Sequence, residues 1–250
     1  MEDNRICGIN AVSAVFATRP GDVRRLFYSA DQRQAVGPFC AELAHTHRPY
    51  RMLDGPELDR AAGTVHHGGV AAVVAPRIVA PVDFVRPPRH DLLVILDGIG
   101  NPHNLGAVAR SAAFFGVGAM VLHQTPLQAM PTDAAYRVAE GGMEHLDLFL
   151  TRNIRKCLQA LDPFYRTVAA TLTADAAPLE RLPRDRPVAL VLGNEENGVS
   201  FDALQACRRQ VRISGRGGVQ SLNVAQAAAV LLHDLSRTGV SARTGAVTEA

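Results

Sequence analysis

Three short segments, far apart in the chain, carry side chains that hold polar ligands: Asn104-Leu105-Gly106 leading to Arg110, Gly193-Asn194-Glu195, and Ser221-Leu222-Asn223. Amide, carboxylate, hydroxyl and guanidinium groups offer hydrogen bonds and charge, and glycine lets backbone approach a ligand closely. Each segment follows an apolar run, at Leu92 to Leu96, Val188 to Leu192 and Val211 to Ile213. The carboxyl ends of buried strands are where α/β proteins bind ligands, so three such segments point to one pocket. Taken singly, each has a plainer reading. Asn104 caps a helix, Glu195 is a loop acid or a cap for a helix at Phe201, Ser221 and Asn223 cap the last helix, and the glycines make turns.

Gly98-Ile99-Gly100 follows the first of these runs, as in a dinucleotide-binding turn. The next glycine, Gly106, falls outside the G-x-G-x-x-G spacing, and the following strand ends at His123-Gln124 without an acid to hold a ribose. A conventional nucleotide-cofactor fingerprint is therefore excluded. Lys156, the single lysine, lies in no glycine-rich loop, which excludes a Walker motif. Cys7, Cys40, Cys157 and Cys207 are scattered, with neither disulfide-framework nor zinc-site spacing. They are expected to be reduced and mostly buried, and no metal is expected.

The elements that must position these groups follow from apolar periodicity. Helices are expected at Ile9 to Thr18, Ala35 to His45 and Pro56 to Ala62, with strands at Val23 to Tyr28, Tyr50 to Leu53 and Val70 to Val74. That makes a small α/β domain over residues 1–75. Pro76, Pro81, Pro87 and Pro88 forbid a continuous helix or a central strand, so 76–90 reads as a linker. Residues 91–238 read as a second α/β domain. Its expected strands are Leu92 to Leu96, Ala119 to His123, Leu146 to Leu150, Arg166 to Ala170, Val188 to Leu192 and Val211 to Ile213. Its expected helices are Leu105 to Phe115, Asn153 to Ala160, Phe201 to Arg208 and Val224 to Ser236. The last of these is apolar on nearly every face, as a subunit interface or a crowded core requires. Residues 239–250 read as a frayed tail.

With 250 residues and 47% hydrophobic content the chain can bury an ordinary core. Met1-Glu2-Asp3-Asn4 lacks the pattern of a secretory leader, and no stretch is long and apolar enough to span a bilayer, so a cytoplasmic protein without membrane contact is expected. The net charge of +2 is too mild to identify a nucleic-acid binder by itself, and the slight basic excess lies in the N-terminal part.

The residues themselves resemble a known family. Leu96 to Arg110 (LDGIGNPHNLGAVAR), Leu190 to Ser200 (LVLGNEENGVS) and Ser221 to Ala225 (SLNVA) look like the three signature motifs of the SpoU (TrmH-type) RNA 2′-O-ribose methyltransferases, in the family's order. The resemblance covers roughly Asp91 to Arg237. Cys7 to Val12 (CGINAV) and His66 to Ala71 (HHGGVA) are similar to the family's ribosomal-protein-L30e-like substrate-binding domain.

This resemblance implies a SPOUT-class methyltransferase domain, an α/β fold with a parallel sheet and a deep trefoil knot, pairing with a second copy into a homodimer. It implies S-adenosyl-L-methionine as cofactor, held by Leu192, Gly193, Asn194, Ile213, Ser214, Gly218, Ser221 and Leu222. Asn104, Arg110, Glu195, Ser221 and Asn223 would form the catalytic set acting on a ribose 2′-hydroxyl of tRNA or rRNA, with Arg5, Arg24, Arg25 and Arg51 helping to hold RNA. A guanidinium hardly gives up its proton, so Arg110 is expected to clamp phosphate and polarise the hydroxyl. His103 is the competing base, since imidazole titrates near neutrality. Two segments depart from the family pattern: Ala139-Glu140-Gly141-Gly142 stands where many relatives have Ser-x-Gly-Ala, and Arg212-Ile213-Ser214 replaces Ile-Pro-Met. The reading from a different class is a noncatalytic RNA-binding protein that keeps the fold.

Overall fold

The computed structural model describes residues 2–237; the expected tail and the last residue of the second domain lie outside them. The chain begins with β1 (Asn4–Cys7), α1 (Ile9–Thr18), β2 (Val23–Tyr28), α2 (Arg33–His45), β3 (Tyr50–Met52), α3 (Gly55–Ala62) and β4 (Val70–Val74). These strands form one sheet in the order β1-β4-β2-β3, with β4 antiparallel to both neighbours and β2 parallel to β3. A register shift between Val23 and Arg25 marks a bulge in β2, which leaves both Arg24 and Arg25 exposed.

The proline-rich stretch is laid along the second sheet. Its two-residue strand β5 (Ala80–Pro81) occupies the sheet edge, where a missing N–H is tolerated. Arg77 donates to the carbonyls of Met143 and Leu146, and the Tyr165 hydroxyl donates to Pro88 O at 2.9 Å.

The rest of the chain runs β6 (Leu92–Asp97), α4 (Pro102–Phe114), β7 (Ala119–His123), α5 (Asp133–Ala139), β8 (Asp147–Thr151), α6 (Ile154–Leu161), β9 (Arg166–Ala170), β10 (Ala177–Pro178), β11 (Val188–Gly193), α7 (Phe201–Ala206), β12 (Arg209–Arg212) and α8 (Val224–Ser236). The strands form one parallel sheet in the order β10-β12-β9-β11-β6-β7-β8-β5. Central strands buried on both faces need continuous apolar runs, and Leu92 to Leu96 supplies one. Leu92, Val94 and Leu96 face α4, α5 and α8, whereas Leu93 and Ile95 face α6 and α7.

The first of these apolar layers continues without a break into the other sheet, through Ile6, Val12, Val15 and Phe16. Arg19 seals the junction with two hydrogen bonds to Glu144, at 2.8 and 2.9 Å. Glu144 is almost fully buried, so losing Arg19 would leave an uncompensated charge inside the protein.

Candidate functional site

The side chains singled out by type and spacing meet at the carboxyl edge of the parallel sheet. Strands β6 and β11 are neighbours, with Gly193 paired to Asp97, so the loops that leave them emerge side by side. Asn194 closes the second loop on itself, exchanging backbone hydrogen bonds of 2.9 Å with Gly198, while its amide donates to Gly98 O at 2.8 Å. A Cβ on Gly193 would lie 2.1 Å from Val199 N. No larger residue fits there.

Helix α4 begins three residues before the expected position. Asn101 is the N-cap, accepting from His103 N at 2.8 Å, and Pro102 occupies the first turn. The cap reading of Asn104 is therefore wrong, and its amide is free to reach Glu195. Asn104 Nδ2 donates to Glu195 Oε1 at 2.6 Å, and Asn223 Nδ2 donates to Asn104 Oδ1 at 3.2 Å. Gly100 N lies 3.4 Å from Glu195 Oε2. Asn223 does cap α8, through Ala225 N at 2.9 Å, but one amide serves both purposes. The cap of α7 is Ser200 rather than Glu195.

Other sequence-selected residues take different places. Leu192 is buried at the end of β11, and Ile213 packs against the core just after β12. Ser214, Gly218, Ser221 and Leu222 lie exposed in the loop that joins β12 to α8. Arg110 lies six residues, about one and two-thirds turns, along α4 from Asn104 and is not brought into this line; its guanidinium pairs with Glu140 at 2.8 Å. His103 is exposed and engaged through its backbone N–H.

Three further residues were not expected to shape the site. The buried Gln128 accepts from Gly98 N and Ile99 N at 3.0 and 3.1 Å. Those are the amides a dinucleotide pyrophosphate would need, so the structure closes that reading physically. Asp97 takes the opposite side of the sheet edge, accepting from Ser200 N at 2.7 Å and bonding His123 Nδ1 at 2.7 Å. Burial alone would raise its carboxyl, but the hydrogen bonds from His123 and Ser200 prevail and hold its pKa below the ordinary value. No sequence spacing announces partners that lie 26 to 103 residues apart.

Away from this edge, Arg5, Arg24, Arg25 and Arg51 are exposed on the first sheet, with Arg25 over the ring of Phe27 at 5.9 Å. Among the described residues no cluster of three or more metal-ligating side chains occurs, and no helix is long and apolar enough to cross a membrane. All four cysteines are free.

Comparison with known proteins matches residues 91–233 to the SpoU rRNA Methylase family and residues 5–79 to an RNA 2′-O ribose methyltransferase substrate-binding family. The "Uncharacterized tRNA/rRNA methyltransferase YfiF" of Escherichia coli O157:H7 is 34% identical over 92% of this chain and 67% of its own length. The chain thus spans about two thirds of that relative. A 23S rRNA (guanosine-2′-O-)-methyltransferase RlmB from Nitrosomonas europaea is 29% identical over 96% of this chain and 93% of its own length. In fold, the AdoMet-bound rRNA methyltransferase of Sinorhizobium meliloti superposes with a TM-score of 0.77 at 21% identity, covering 94% of this chain and 87% of that one.

Proposed function

Since the chain belongs to the SpoU rRNA methylase family, we propose that it transfers a methyl group from S-adenosylmethionine to a ribose 2′-hydroxyl of tRNA or rRNA. The observation that carries this reading is the Glu195–Asn104–Asn223 line, drawn from three distant segments to one exposed edge. When bound, S-adenosylmethionine supplies an electrophilic methyl group. Its proposed cradle fits such a molecule. Leu222 stands half exposed beside the polar line, Gly215, Gly217 and Gly218 have open space around them, and the backbone at Gly193 is held bare by close packing.

The chain's residues then divide the work. Leu192, Gly193, Asn194, Ile213, Ser214, Gly218, Ser221 and Leu222 bind the cofactor, largely through backbone. Asn104, Glu195 and Asn223, with Ser221, orient the ribose, since a near-attack geometry supplies much of the rate. Arg110 clamps the neighbouring phosphate and polarises the ribose hydroxyl, whose proton would leave to a phosphate oxygen or water. Arg5, Arg24, Arg25 and Arg51 extend the RNA contact over an L30e-like domain at residues 1–75, joined by 76–90 to the methyltransferase domain.

The knot and the dimer belong to the same proposal. Support comes from the path of the chain, which leaves β12 beyond β9 and returns to lay α8 against α4 and β11. Val230 on α8 and Phe114 at the end of α4 remain exposed, as a homodimer interface would use. Calorimetric titration with S-adenosylmethionine tests the cradle: saturable binding that Gly193→Ala abolishes is expected, and no binding by the wild type contradicts it. An Arg110→Lys variant with full turnover would sink the clamp, because an ammonium lacks the two-pronged fork.

A further inference from the structure

Arg110 stands apart from the Asn104 line, further along α4, and pairs there with Glu140. Arg110 Nη1 and Glu140 Oε1 are 2.8 Å apart, and the two side chains are 56% and 44% exposed, so an incoming anion can reach both. The second carboxylate oxygen, Oε2, lies 3.4 Å from Asn10 Nδ2 on α1. One side chain therefore ties the first unit of the protein to the helix that carries Arg110.

Glu140 occupies left-handed backbone, with φ 44 and ψ 46, a conformation disfavoured for any residue with a Cβ. Among the described residues, His47 alone shares a positive φ outside glycine. The following residues fix it there. A Cβ on Gly141 would lie 2.8 Å from Ala14 Cβ, and one on Gly142 would lie 2.9 Å from Arg110 Cα. The turn is thus wedged between α1 and α4, at a conformational cost that an exposed ion pair hardly offsets. Glu140 ends α5, and left-handed backbone is common at helix ends, where glycine is the usual occupant; a glutamate there sets its carboxylate over Arg110.

We propose that Glu140 is a positioning residue for Arg110, holding the guanidinium aligned and neutralised until an RNA phosphate takes the carboxylate's place. The inference rests on Arg110 being the phosphate clamp. Carboxylate and phosphate compete for the same fork of donors, and the phosphate arrives with the added drive of counterion release along the RNA. Because Asn10 faces the other carboxylate oxygen, RNA seated across α1 and α4 disturbs both ends of the link at once.

The test is a cycle of wild type, Glu140→Gln, Arg110→Ala and the double variant. Each full-length protein, without cofactor, is titrated into a fluorescein-labelled single-stranded oligoribonucleotide of mixed sequence. Glu140→Gln is expected to tighten binding about two- to fivefold, and to do so only where Arg110 is present. No gain, or an equal gain in the Arg110→Ala background, overturns the proposal. Nitrogen-15 relaxation of the Arg110 Nε–H needs no RNA: greater side-chain motion is expected in Glu140→Gln and Glu140→Gly, and unchanged motion overturns the positioning role. Glu140→Gly relieves the left-handed strain and so guards against misfolding as an explanation. Failure of the wild type to bind the oligoribonucleotide contradicts the RNA reading itself, while the relaxation result still judges the contact.

Discussion

Two carboxylates stand at neighbouring strand ends on the same sheet edge and have opposite surroundings. Asp97, ending β6, is 4% exposed and tied to His123 and Ser200. Glu195, two residues beyond β11, is exposed and tied to Asn104, which is tied to Asn223. One position is dry and ties three loops together. The other is wet and presents its partners to solvent. The contrast teaches that a carboxylate at the binding edge of an α/β sheet is read by its exposure and partners rather than by its position.

The strongest way to break this contrast is to remove the buried acid. Asp97→Ala is expected to lower unfolding free energy by about 3 kcal/mol in urea titration, because it strips a partner from a buried pair, whereas Glu195→Ala should stay within about 0.5 kcal/mol. Equal losses would erase the distinction. Activity should invert the order. Glu195→Gln is expected to lower the rate of methyl transfer about a hundredfold, the scale of a misplaced reacting group, with the melting temperature unchanged.

Acid titration sharpens the same point with a smaller effect. The folded pKa of Asp97 lies below its unfolded value, so its contribution to stability is complete above the ordinary carboxylate value near ~3.9 and is lost as pH falls through the folded pKa. Asp97→Asn should flatten that acid limb, as followed by circular dichroism; a limb unchanged in steepness would count against the pair. The smallest effect concerns the two histidines. His123 is locked to Asp97, while His103 is exposed, so His103→Ala should leave the pH–rate profile of methyl transfer where it was. A shifted profile would make His103 a participant in proton transfer.

Much of the scaffold was legible because long periodic segments declare themselves. The bounds expected for Ile9–Thr18, Val23–Tyr28, Val70–Val74, Ala119–His123, Arg166–Ala170 and Val224–Ser236 are the observed ones. Among the elements that were not legible are β1, of four residues, and α5, a seven-residue run hidden behind Pro131. The start of α4 is written in Asn101-Pro102: both Asn101 and Asn104 can cap, but only Asn101 is followed by a proline suited to the first turn. Helix α7 stops at Ala206 because the backbone turns extended at Cys207 to enter β12 at Arg209.

Within the site, types and spacing brought Asn104, Glu195 and Asn223 into one expectation, and the fold places them in hydrogen-bonding reach. Gln128 beneath Gly98, Asp97 beside His123 and Glu140 over Arg110 were invisible, because each contact depends on how two loops pack after the sheet has formed. No local pattern encodes it.

The central claim is methyl transfer to ribose. Purified protein incubated with methyl-labelled S-adenosylmethionine and bulk bacterial RNA, followed by digestion to nucleosides, tests it most directly. Label in 2′-O-methylnucleosides, lost in Asn223→Ala, is the result this account predicts. Label confined to bases, or cofactor binding with no transfer to RNA, would contradict it.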